Sequence, residues 1–548
     1  MKRRNWIEKI AGMASVGALW SSGRAEAARR TPAAELSGKM PNDGQAAATV
    51  YNVRSFGATG NGRTNDAPAV QKAIDTCSRN GGGVVLLDKG TFLITGIAFK
   101  SHVELRLTST ATLLGSPDLS RYNKDDKFGY SDSIRSLVYA NGCQHIALTG
   151  AGTIDGQGKL FRSDRSYAER PQLIQLRGCQ DVRISDVLLT NSGMWGCWLL
   201  QCVRVRVEGL RIKNLLSPNR DGIDIDGCRQ VFIANCNIDT EDDSIAFKGS
   251  QKGFPCRDVV ITNCLISSRC AAIRLGPDAV DAIENITVSN CVIRDTHLNG
   301  IKIQETMGAT IQNITFSNIV MENVRGPISI RLAGWKLDPS IQIWAKFDDS
   351  HWEQGKLQNI LFENIRGTMP RDNIAMSITG TTQTRPRQIT FSNIDLTFAG
   401  GGTAAQGARR TVPDLERDYP EMYIFGELPA YGLYMHHVSG VVMNNVQFRL
   451  ADDDQRPALV CDDVDDLELA GFKVAGSTRG ESVIRLQNTR HVFVHTSRVL
   501  NETGTFLRVE GAQSRDILLQ GNKLQLAKKV LDTTSEVPTD AALLAHNY

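Results

Sequence analysis

Short stretches of alternating apolar and polar residues recur along the chain, and each is followed by a residue that favours a turn. Examples are "CRQVFIANC", "CRDVVITNC", "IENITVSNC" and "IQNITFSNI". Alternation with β-branched residues predicts a strand with one buried face. The turn positions lie 23 to 28 residues apart, at Asp186, Gly209, Asn235, Asn263, Asn290 and Asn318. That period predicts a solenoid rather than a sandwich.

A second strand lies in most repeats, as in "SIAFKGS", "AIRLGPD" and "GIKIQET". Two or three strands per coil, with few helices, predict an all-β, right-handed parallel β-helix whose coils stack about 4.8 Å apart. We expect this domain to cover residues 49–530, followed by a C-terminal tail at 531–548. An amphipathic helix at 66–83, with Asp66 as its N-cap, is expected to cover the N-terminal end of the solenoid.

The N-terminus has the features of an export signal. It begins with paired Arg3 and Arg4, continues with a short apolar run, and reaches the small-residue site Ala25-Glu26-Ala27. This order is typical of a cleaved signal over residues 1–27, and the arginine pair resembles a twin-arginine signal. Residues 28–48 are expected to form an unstructured leader. The protein is therefore predicted to be exported, to the periplasm or the extracellular space.

The charge balance and the cysteines exclude several classes of partner. The chain of 548 residues has 62 basic and 59 acidic residues, a formal charge of +3, which favours neither nucleic acid nor a membrane. We expect a monomer without a cofactor. Eight of the twelve cysteines fall at matching repeat positions, which predicts two buried columns of thiols rather than disulfides or zinc ligands. These are Cys143, Cys179, Cys202, Cys228 and Cys256, and then Cys236, Cys264 and Cys291.

Carboxylates concentrate in the segment "PNRDGIDIDGCRQVFIANCNIDTEDDSIAFKG" at 218–249. When the second strands are aligned on their inward isoleucines, Asp221 and Asp243 occupy one column on neighbouring coils, and Asp242 precedes Asp243. These isoleucines are Ile223, Ile245, Ile273, Ile301 and Ile328. Carboxylates this close repel one another, so one of them is expected to keep a proton. A general acid beside a general base is the result.

The same alignment places a mixed set of side chains on the outer face around these carboxylates. Tryptophan offers an apolar surface for a sugar ring, and cations offer partners for a carboxylated sugar. A groove of this kind fits a polysaccharide or oligosaccharide substrate. Calcium binding is the alternative for an acidic cluster, but basic residues on the same face oppose it. The residues expected to bind substrate from this face are Asp224, Lys248, Arg274, Lys302, Arg331 and Trp198.

At these residues the sequence resembles glycoside hydrolase family 28, the polygalacturonase-like family of pectin-degrading enzymes, whose fold is a pectin-lyase-like β-helix. The blocks "GAGTIDGQG" at 150–158, Asn219-Arg220-Asp221 and Asp242-Asp243 match motifs of that family. The resemblance implies that Asp242 is the general acid, that Asp221 and Asp243 activate water, and that Asn219 contacts substrate. It also implies inversion at the anomeric carbon without a metal.

Two family motifs are altered in this chain. Cys270-Ala271-Ala272 stands where the family has Gly-His-Gly, and Lys302-Ile303-Gln304 stands where it has Arg-Ile-Lys, the motif that contacts the substrate carboxylate. Lys302 and Gln304 are therefore the expected substrate contacts, and Arg274 and Lys248 could supply the missing positive charge. The expected substrate is a pectic or related acidic glycan, namely a galacturonan, a rhamnogalacturonan or a decorated variant.

Two other functions remain open from sequence. A polysaccharide lyase on the same solenoid would use Lys or Arg as its base and require calcium, and a non-catalytic β-helix would only bind glycan. Long insertions near 332–356 and at 399–436 are expected to be groove walls, and whether they close one end decides between endo and exo action. Their aromatic residues either bind sugar or pack the loops: Trp335, Trp344, Trp352, Tyr423, Tyr431 and Tyr434.

Overall fold

A parallel β-helix forms the body of the molecule, because each strand pairs in parallel with its counterpart one coil further along the chain. The structure is a computed structural model that describes residues 48–122, 135–161, 169–216, 219–334, 354–415 and 417–548. The predicted all-β solenoid is confirmed. None of the helices within these ranges is long and apolar enough to cross a membrane.

The strands are numbered in the order in which they occur along the chain. The first coils contain β1 Val50–Asn52, β2 Asn61–Asn65, β3 Gly83–Leu87, β4 Gly90–Ile94, β5 Ile97–Ala98, β6 Val103–Leu107, β7 Ala111–Gly115, β8 Ser136–Asn141, β9 Gln144–Thr149 and β10 Thr153–Asp155. The next coils contain β11 Gln172–Arg177, β12 Gln180–Ser185, β13 Leu188–Thr190, β14 Cys197–Leu200, β15 Val203–Glu208, β16 Arg211–Asn214, β17 Ile223–Asp226, β18 Arg229–Ala234, β19 Asn237–Thr240, β20 Ile245–Gly249, β21 Cys256–Thr262 and β22 Leu265–Ser268.

Eight strands follow these, and all but one of them are longer than the strands before them. They are β23 Ala271–Ala279, β24 Ile283–Glu305, β25 Thr310–Leu332, β26 Lys356–Thr368, β27 Met376–Thr379, β28 Arg387–Phe398, β29 Leu433–Leu450 and β30 Leu459–Ala470. The last coils contain β31 Lys473–Val474, β32 Ile484–Gln487, β33 Arg490–His495, β34 Arg498–Val499, β35 Thr503–Glu510, β36 Arg515–Gln520, β37 Ala527–Thr533 and β38 Ala542–Ala545. The helices are α1 Ala67–Arg79 and α2 Ala404–Gly407, with 3-10 turns at Val53–Phe56, Leu119–Arg121, Gly158–Leu160 and Met422–Phe425.

The coil register follows the inward isoleucines. Ile223 pairs with Ile245, Ile245 with Ile273, Ile273 with Ile301, and Ile301 with Ile328. Each of these side chains is buried in one core that runs along the helix axis. Burying an isoleucine contributes about 1.5–3 kcal/mol, so a shift of register by one residue would expose the whole column. The alignment that placed Asp221 beside Asp243 is therefore confirmed.

Left-handed turn residues join the strands of each coil. All six predicted turn positions have φ between 54° and 65°, a region where Gly and Asn are tolerated better than other residues. The asparagines also bond to one another between coils. Asn318 donates to Asn290 at 3.2 Å and accepts from Asn364 at 3.1 Å. This ladder satisfies the amides and aligns consecutive coils.

The cysteine columns are confirmed. All twelve cysteines are free thiols, and eleven of them are buried. The pairing of the flanking strands places Cys179, Cys202 and Cys228 on successive coils, and the backbone N–H of Cys202 donates to the sulfur of Cys228 at 3.2 Å. The thiols therefore serve as small apolar core residues in a stack.

The N-terminal helix α1 covers the first coils as predicted, but Asp66 has a different role. Five side chains of α1 are buried: Ala67, Val70, Ala73, Ile74 and Cys77. The Asp66 carboxylate makes no capping bond. It accepts hydrogen bonds from the backbone N–H groups of Thr59 and Gly60 at 2.7 and 2.9 Å, so it holds the preceding turn instead.

The C-terminal boundary predicted from sequence is wrong. Residues 531–548 were expected to be a tail, yet Arg508 pairs with Asp532 and β38 pairs with β36. Polar residues and a proline interrupt the repeat there and hide it from pattern analysis. Residues 48–548 form one unit. The predicted signal at 1–27 lies outside the described residues, as does all but the last residue of the leader at 28–48.

We expect the asparagine ladder to contribute measurably to stability. Asn318→Ala removes two side-chain hydrogen bonds and places alanine at φ 55°, which should lower the free energy of unfolding by about 2 kcal/mol. Asn318→Gly removes the same bonds but tolerates the backbone angle, so its loss should be smaller. Urea unfolding of both variants measures the difference. Equal losses would show that the left-handed angle contributes nothing.

Candidate active site

Three carboxylates meet where two turns precede β17 and β20. The backbone N–H of Gly222 donates to the carbonyl of Asp243 at 2.9 Å, so Asp221 and Asp243 lie on adjacent coils. Asp242 stands beside them, and an oxygen of Asp242 lies within 4.8 Å of an oxygen of Asp243 and of the Cys270 sulfur. The structure thus brings together all three residues that the sequence predicted to be catalytic.

Asp242 carries the features of a proton donor. Burial and the negative charge of Asp243 raise its pKa, and these effects outweigh the backbone N–H of Asn219, which donates to Oδ2 at 2.8 Å. A second hydrogen bond runs from the backbone N–H of Asp243 to Oδ1 at 3.0 Å. Asn219 adopts φ 59° and its side-chain oxygen accepts from Arg170 at 2.8 Å. Asn219 therefore positions Asp242 through its backbone.

Asp243 is held in the charged form, in contrast to Asp242. Burial raises its pKa, but the charges of Arg274 and Lys302 and a hydrogen bond from Arg274 outweigh burial and lower the pKa to about 2. The guanidinium contacts Oδ2 at 2.8 Å, and the N–H of Ala271 donates to Oδ1 at 3.2 Å. Asp243 is therefore ionised at neutral pH, next to a carboxyl group whose pKa is raised.

Asp221 is almost fully buried, and its pKa lies well above the ordinary value. Burial is the largest cause, followed by the negative charges of Asp224 and Asp242. Of the two residues expected to share the role of base, only Asp243 is thus held in its charged form. A pair of carboxyl groups with opposite pKa shifts is the arrangement that general acid and base catalysis requires.

Lys248 and Asp224 lie beneath the site rather than on an open face, contrary to the sequence prediction. Lys248 contacts Asp278 at 2.9 Å and Asp224 at 3.6 Å, and its ammonium lies 4.8 Å from the centre of the Trp195 ring. Burial raises the pKa of Asp224 to about 7, against the opposing charge of Lys248. The charge of Lys248 lowers the pKa of Asp221 and that of Asp224 raises it, so both buried residues act on the site electrostatically.

The predicted sugar platform is also wrong. Trp198 is fully buried and packs edge-on against Trp195, with ring centres 5.2 Å apart. Trp195 is only 5% exposed. Trp198 pairs with Asp224 on the next coil, as the alternation of β14 predicts, but this position is not open to solvent. Trp198 therefore packs the wall instead of presenting a surface.

The insertion at 399–436 reaches over the residues that were expected to recognise substrate. Glu421 contacts Lys302 Nζ with both carboxylate oxygens at 2.8 Å, and the backbone carbonyl of Pro420 accepts from Gln304 at 2.6 Å. Arg274 donates to Gln304 at 2.9 Å and to the hydroxyl of Tyr419 at 3.0 Å. Lys302, Gln304 and Arg274 are thus together, as predicted, but a loop of the chain itself already engages them.

Glu421 and Tyr419 are the site residues that sequence reasoning missed. The insertion "DYPEMYIFGE" was recognised as a groove wall, and an acidic residue in it was the available signal. Its partner could not be named, because 119 residues separate Glu421 from Lys302.

Arg331 anchors this insertion. Its guanidinium donates to the backbone carbonyls of Asp414 and Leu415, at 2.8 and 2.5 Å, and lies 5.0 Å from the centre of the Phe425 ring. It is 2% exposed. Nη1 of Arg331 donates to the hydroxyl of Thr379 on the next coil at 3.3 Å. Both terminal nitrogens are therefore engaged within the chain, and a role of Arg331 in binding substrate stays a prediction.

The aromatic residues of the insertions divide by position. Tyr431 and Tyr434 are buried, and the Tyr431 hydroxyl donates to the Ala475 carbonyl at 2.6 Å, so both pack the loop onto the helix. Tyr423 is exposed. Trp335, Trp344 and Trp352 lie outside the described residues.

A parallel β-helix with three neighbouring aspartates in its wall, of which Asp221 and Asp243 are buried and Asp242 is half-buried, defines a class of carbohydrate-active proteins. Within that class, the model of glycosyl hydrolases family 28 matches residues 77–411, more than half of the chain. The chain belongs to this family.

Individual relatives agree with this assignment. A probable polygalacturonase of Vitis vinifera is 30% identical over 280 residues, 46% of this chain and 56% of that protein. A probable endo-xylogalacturonan hydrolase A of Aspergillus fumigatus is 28% identical over 49% of this chain and 67% of that protein. The family 28 exopolygalacturonase of Yersinia enterocolitica has the same fold, with a TM-score of 0.61 and 20% identity over 77% of this chain and 79% of its own. The match spans little more than half the length of the Vitis relative.

We expect Glu421 and Lys302 to be strongly coupled. Lys302 is fully buried, so Glu421→Gln leaves a buried ammonium without its carboxylate and should lower the free energy of unfolding by about 3–5 kcal/mol. Lys302→Met combined with Glu421→Gln should cost much less than the two single changes added together. Urea unfolding of the four proteins measures the coupling, and Glu427→Gln, an exposed change in the same loop, is the control. Additive losses would contradict the pairing.

Proposed function

We propose that this protein is a glycoside hydrolase that cleaves a glycosidic bond in a pectic polysaccharide. One observation carries the proposal: Asp242, with a raised pKa, lies beside Asp243, with a pKa of about 2, and Asp221 occupies the adjacent coil. Membership of family 28 supports the pectic substrate class. Export to the periplasm or the extracellular space, where such a polymer would be met, is part of the proposal and rests on the N-terminal residues.

In the proposed mechanism Asp242 donates its proton to the glycosidic oxygen as the bond to the leaving sugar breaks. Asp243, held as a carboxylate by Arg274, accepts a proton from the attacking water. Asp221 keeps its own proton and orients that water. No metal takes part in any of these steps. Inversion at the anomeric carbon is expected from membership of family 28. The nearest carboxylate oxygens of Asp242 and Asp243 lie within 4.8 Å of each other, which is closer than the roughly 6.5–9.5 Å usual between the carboxyl groups of inverting pairs.

The contacts of the basic residues favour hydrolysis over the lyase alternative. A lyase base must be free to take a proton from the sugar ring. Lys248, Arg274 and Lys302 each contact a buried carboxylate within 2.8–2.9 Å, and those charges keep the cations protonated. The arrangement therefore supports carboxylate chemistry. A product absorbing in the ultraviolet through a new C=C bond would favour the lyase instead.

The contacts of the insertion limit which sugar of the proposed substrate can face Lys302. Glu421 already neutralises Lys302, the residue that stands at the motif contacting the substrate carboxylate in the family, and Gln304 bonds to Pro420. A second carboxylate placed there would be repelled by Glu421 at close range. The sugar facing Lys302 is therefore proposed to lack a free carboxylate, as rhamnose or an esterified galacturonate does. A rhamnogalacturonan or another decorated pectin fits better than plain polygalacturonate.

Asp242→Asn tests the catalytic assignment. We expect hydrolysis of the best substrate in a panel of pectic oligosaccharides to fall by about 100-fold or more, with unchanged thermal unfolding, because the amide cannot donate an acidic proton. In the unmodified protein, activity should also fall as the pH rises through the raised pKa of Asp242. The anomer released, followed by NMR, reports inversion. Asp258→Asn, an exposed change on the next coil, is the control. Full activity in Asp242→Asn would refute the assignment.

Glu421→Gln tests the proposed substrate. Removing the carboxylate frees the charge of Lys302, so the ratio of kcat/KM for polygalacturonate to kcat/KM for a rhamnogalacturonan oligosaccharide should rise about tenfold or more. Glu427→Gln should leave the ratio unchanged. An unchanged ratio in Glu421→Gln would mean that Glu421 does not select the sugar. Binding of glycans without release of any reducing end, by the unmodified protein, would instead support the non-catalytic alternative.

A further inference from the structure

A second group of ionisable side chains lies well away from the carboxylates. We call it the histidine-aspartate cluster: Asp414, His436, His437, Asp462 and Asp463. His436 and His437 belong to β29, and Asp462 and Asp463 occupy the matching positions of β30, one coil on. Asp414 comes from the insertion that covers Lys302. β29 is five coils beyond β20, about 24 Å along the axis at ~4.8 Å per coil, so the cluster is separate from the catalytic site.

The two histidines point the same way although they are adjacent in a strand. His437 adopts φ 54°, which interrupts the alternation of side chains, and the ring centres lie 3.8 Å apart. Both Nε2 atoms face Oδ1 of Asp414, at 2.7 Å from His436 and 3.3 Å from His437. Three ligand atoms, two imidazole nitrogens and one carboxylate oxygen, therefore converge within 4.8 Å of one another.

The other nitrogen of each ring meets a carboxylate. Nδ1 of His437 lies 2.6 Å from Asp463, and Nδ1 of His436 lies 3.1 Å from Asp462. A carboxylate behind each imidazole fixes the tautomer that leaves Nε2 with its lone pair, and this outer pairing accompanies most histidine metal ligands. Arg385 and Arg490 both approach Asp463, which keeps that carboxylate in the outer position.

We propose that the cluster binds one divalent transition-metal ion of the Zn²⁺ type. Nε2 of His436, Nε2 of His437 and the carboxylate of Asp414 are the protein ligands, and water takes the fourth position. Two imidazoles with one carboxylate are a donor set that such ions accept. The His436 and His437 side chains are 12% and 9% exposed, whereas Asp414 is 31% exposed, so the ion enters from the side of Asp414.

The ion would fasten the insertion to the β-helix. Arg331 already holds the carbonyls of Asp414 and Leu415, and Tyr419 and Glu421 follow a few residues later, over Arg274 and Lys302. A bond from the metal to Asp414 would fix the start of the stretch that ends at Glu421. This role is structural and does not depend on the proposed hydrolysis.

Titration of the purified full-length protein with Zn²⁺ alone, after chelator treatment, tests the proposal. Competition with a chromophoric chelator gives stoichiometry and affinity. We expect one tightly bound ion per chain and a higher Tm with Zn²⁺. His437→Asn, which tolerates the left-handed angle, should weaken binding by roughly 100-fold and abolish the Tm increase, and Asp463→Asn should weaken it by about 10–100-fold.

His491→Asn is the matched control. His491 also has a left-handed angle, φ 52°, and a carboxylate 2.6 Å from Nδ1, but it belongs to no three-ligand group among the described residues, so its loss should leave Zn²⁺ affinity unchanged. Asp414→Asn, in the loop, replaces His437→Asn if that variant fails to fold. The proposal is refuted if the unmodified protein binds no stoichiometric Zn²⁺, or if His437→Asn and Asp414→Asn bind it as the unmodified protein does.

Discussion

The in-register stacking of one coil on the next is the constraint on which the rest of the molecule depends. The column from Ile223 to Ile328 is buried on every coil, so a slip of one residue would turn each of these side chains outward. Left-handed asparagines at the coil corners hold the same register from outside through their amide ladder. Asp221 and Asp243 are neighbours only because these two devices keep adjacent coils aligned.

Burial then determines what each charge near the site can do. Burial favours the neutral form of a carboxyl group, and Asp221 and Asp242 both have raised pKa values. The pKa of Asp243 is lowered instead, because the guanidinium of Arg274 contacts its carboxylate directly. The same guanidinium reaches Gln304 and Tyr419, so the ionisation of Asp243 and the placement of the insertion share one residue.

The insertion at 399–436 brings further charged residues to the site. Its residues engage the β-helix at several places, among them through Glu421 on Lys302 and through Asp414 beside His436. The first contact changes the charge that a substrate would meet, and the second joins the loop to a coil beyond the site. At the position of the motif that contacts the substrate carboxylate in the family, Lys302 of this chain is already paired with the carboxylate of Glu421.

Repetition made much of the fold predictable. Residues one coil apart are linked by a period of 23 to 28 residues, so the strands, the turn positions, the cysteine columns and the closeness of Asp221, Asp242 and Asp243 follow from local pattern alone. Polar residues and a proline interrupt the repeat near the C-terminus, and the end of β37 and all of β38 were therefore assigned to a tail.

Contacts outside the repeat were decided only by the tertiary structure. Glu421 meets Lys302 across 119 residues, and no period encodes the path of that loop. The same loop, with the strands around it, buries Arg331, which was expected to face substrate, and Lys248 and Trp198 are enclosed as well. Sequence alone determined which side chains share a column, because alternation and period are local properties. Whether a column faces solvent depends on what packs over it, and that is a property of the folded chain.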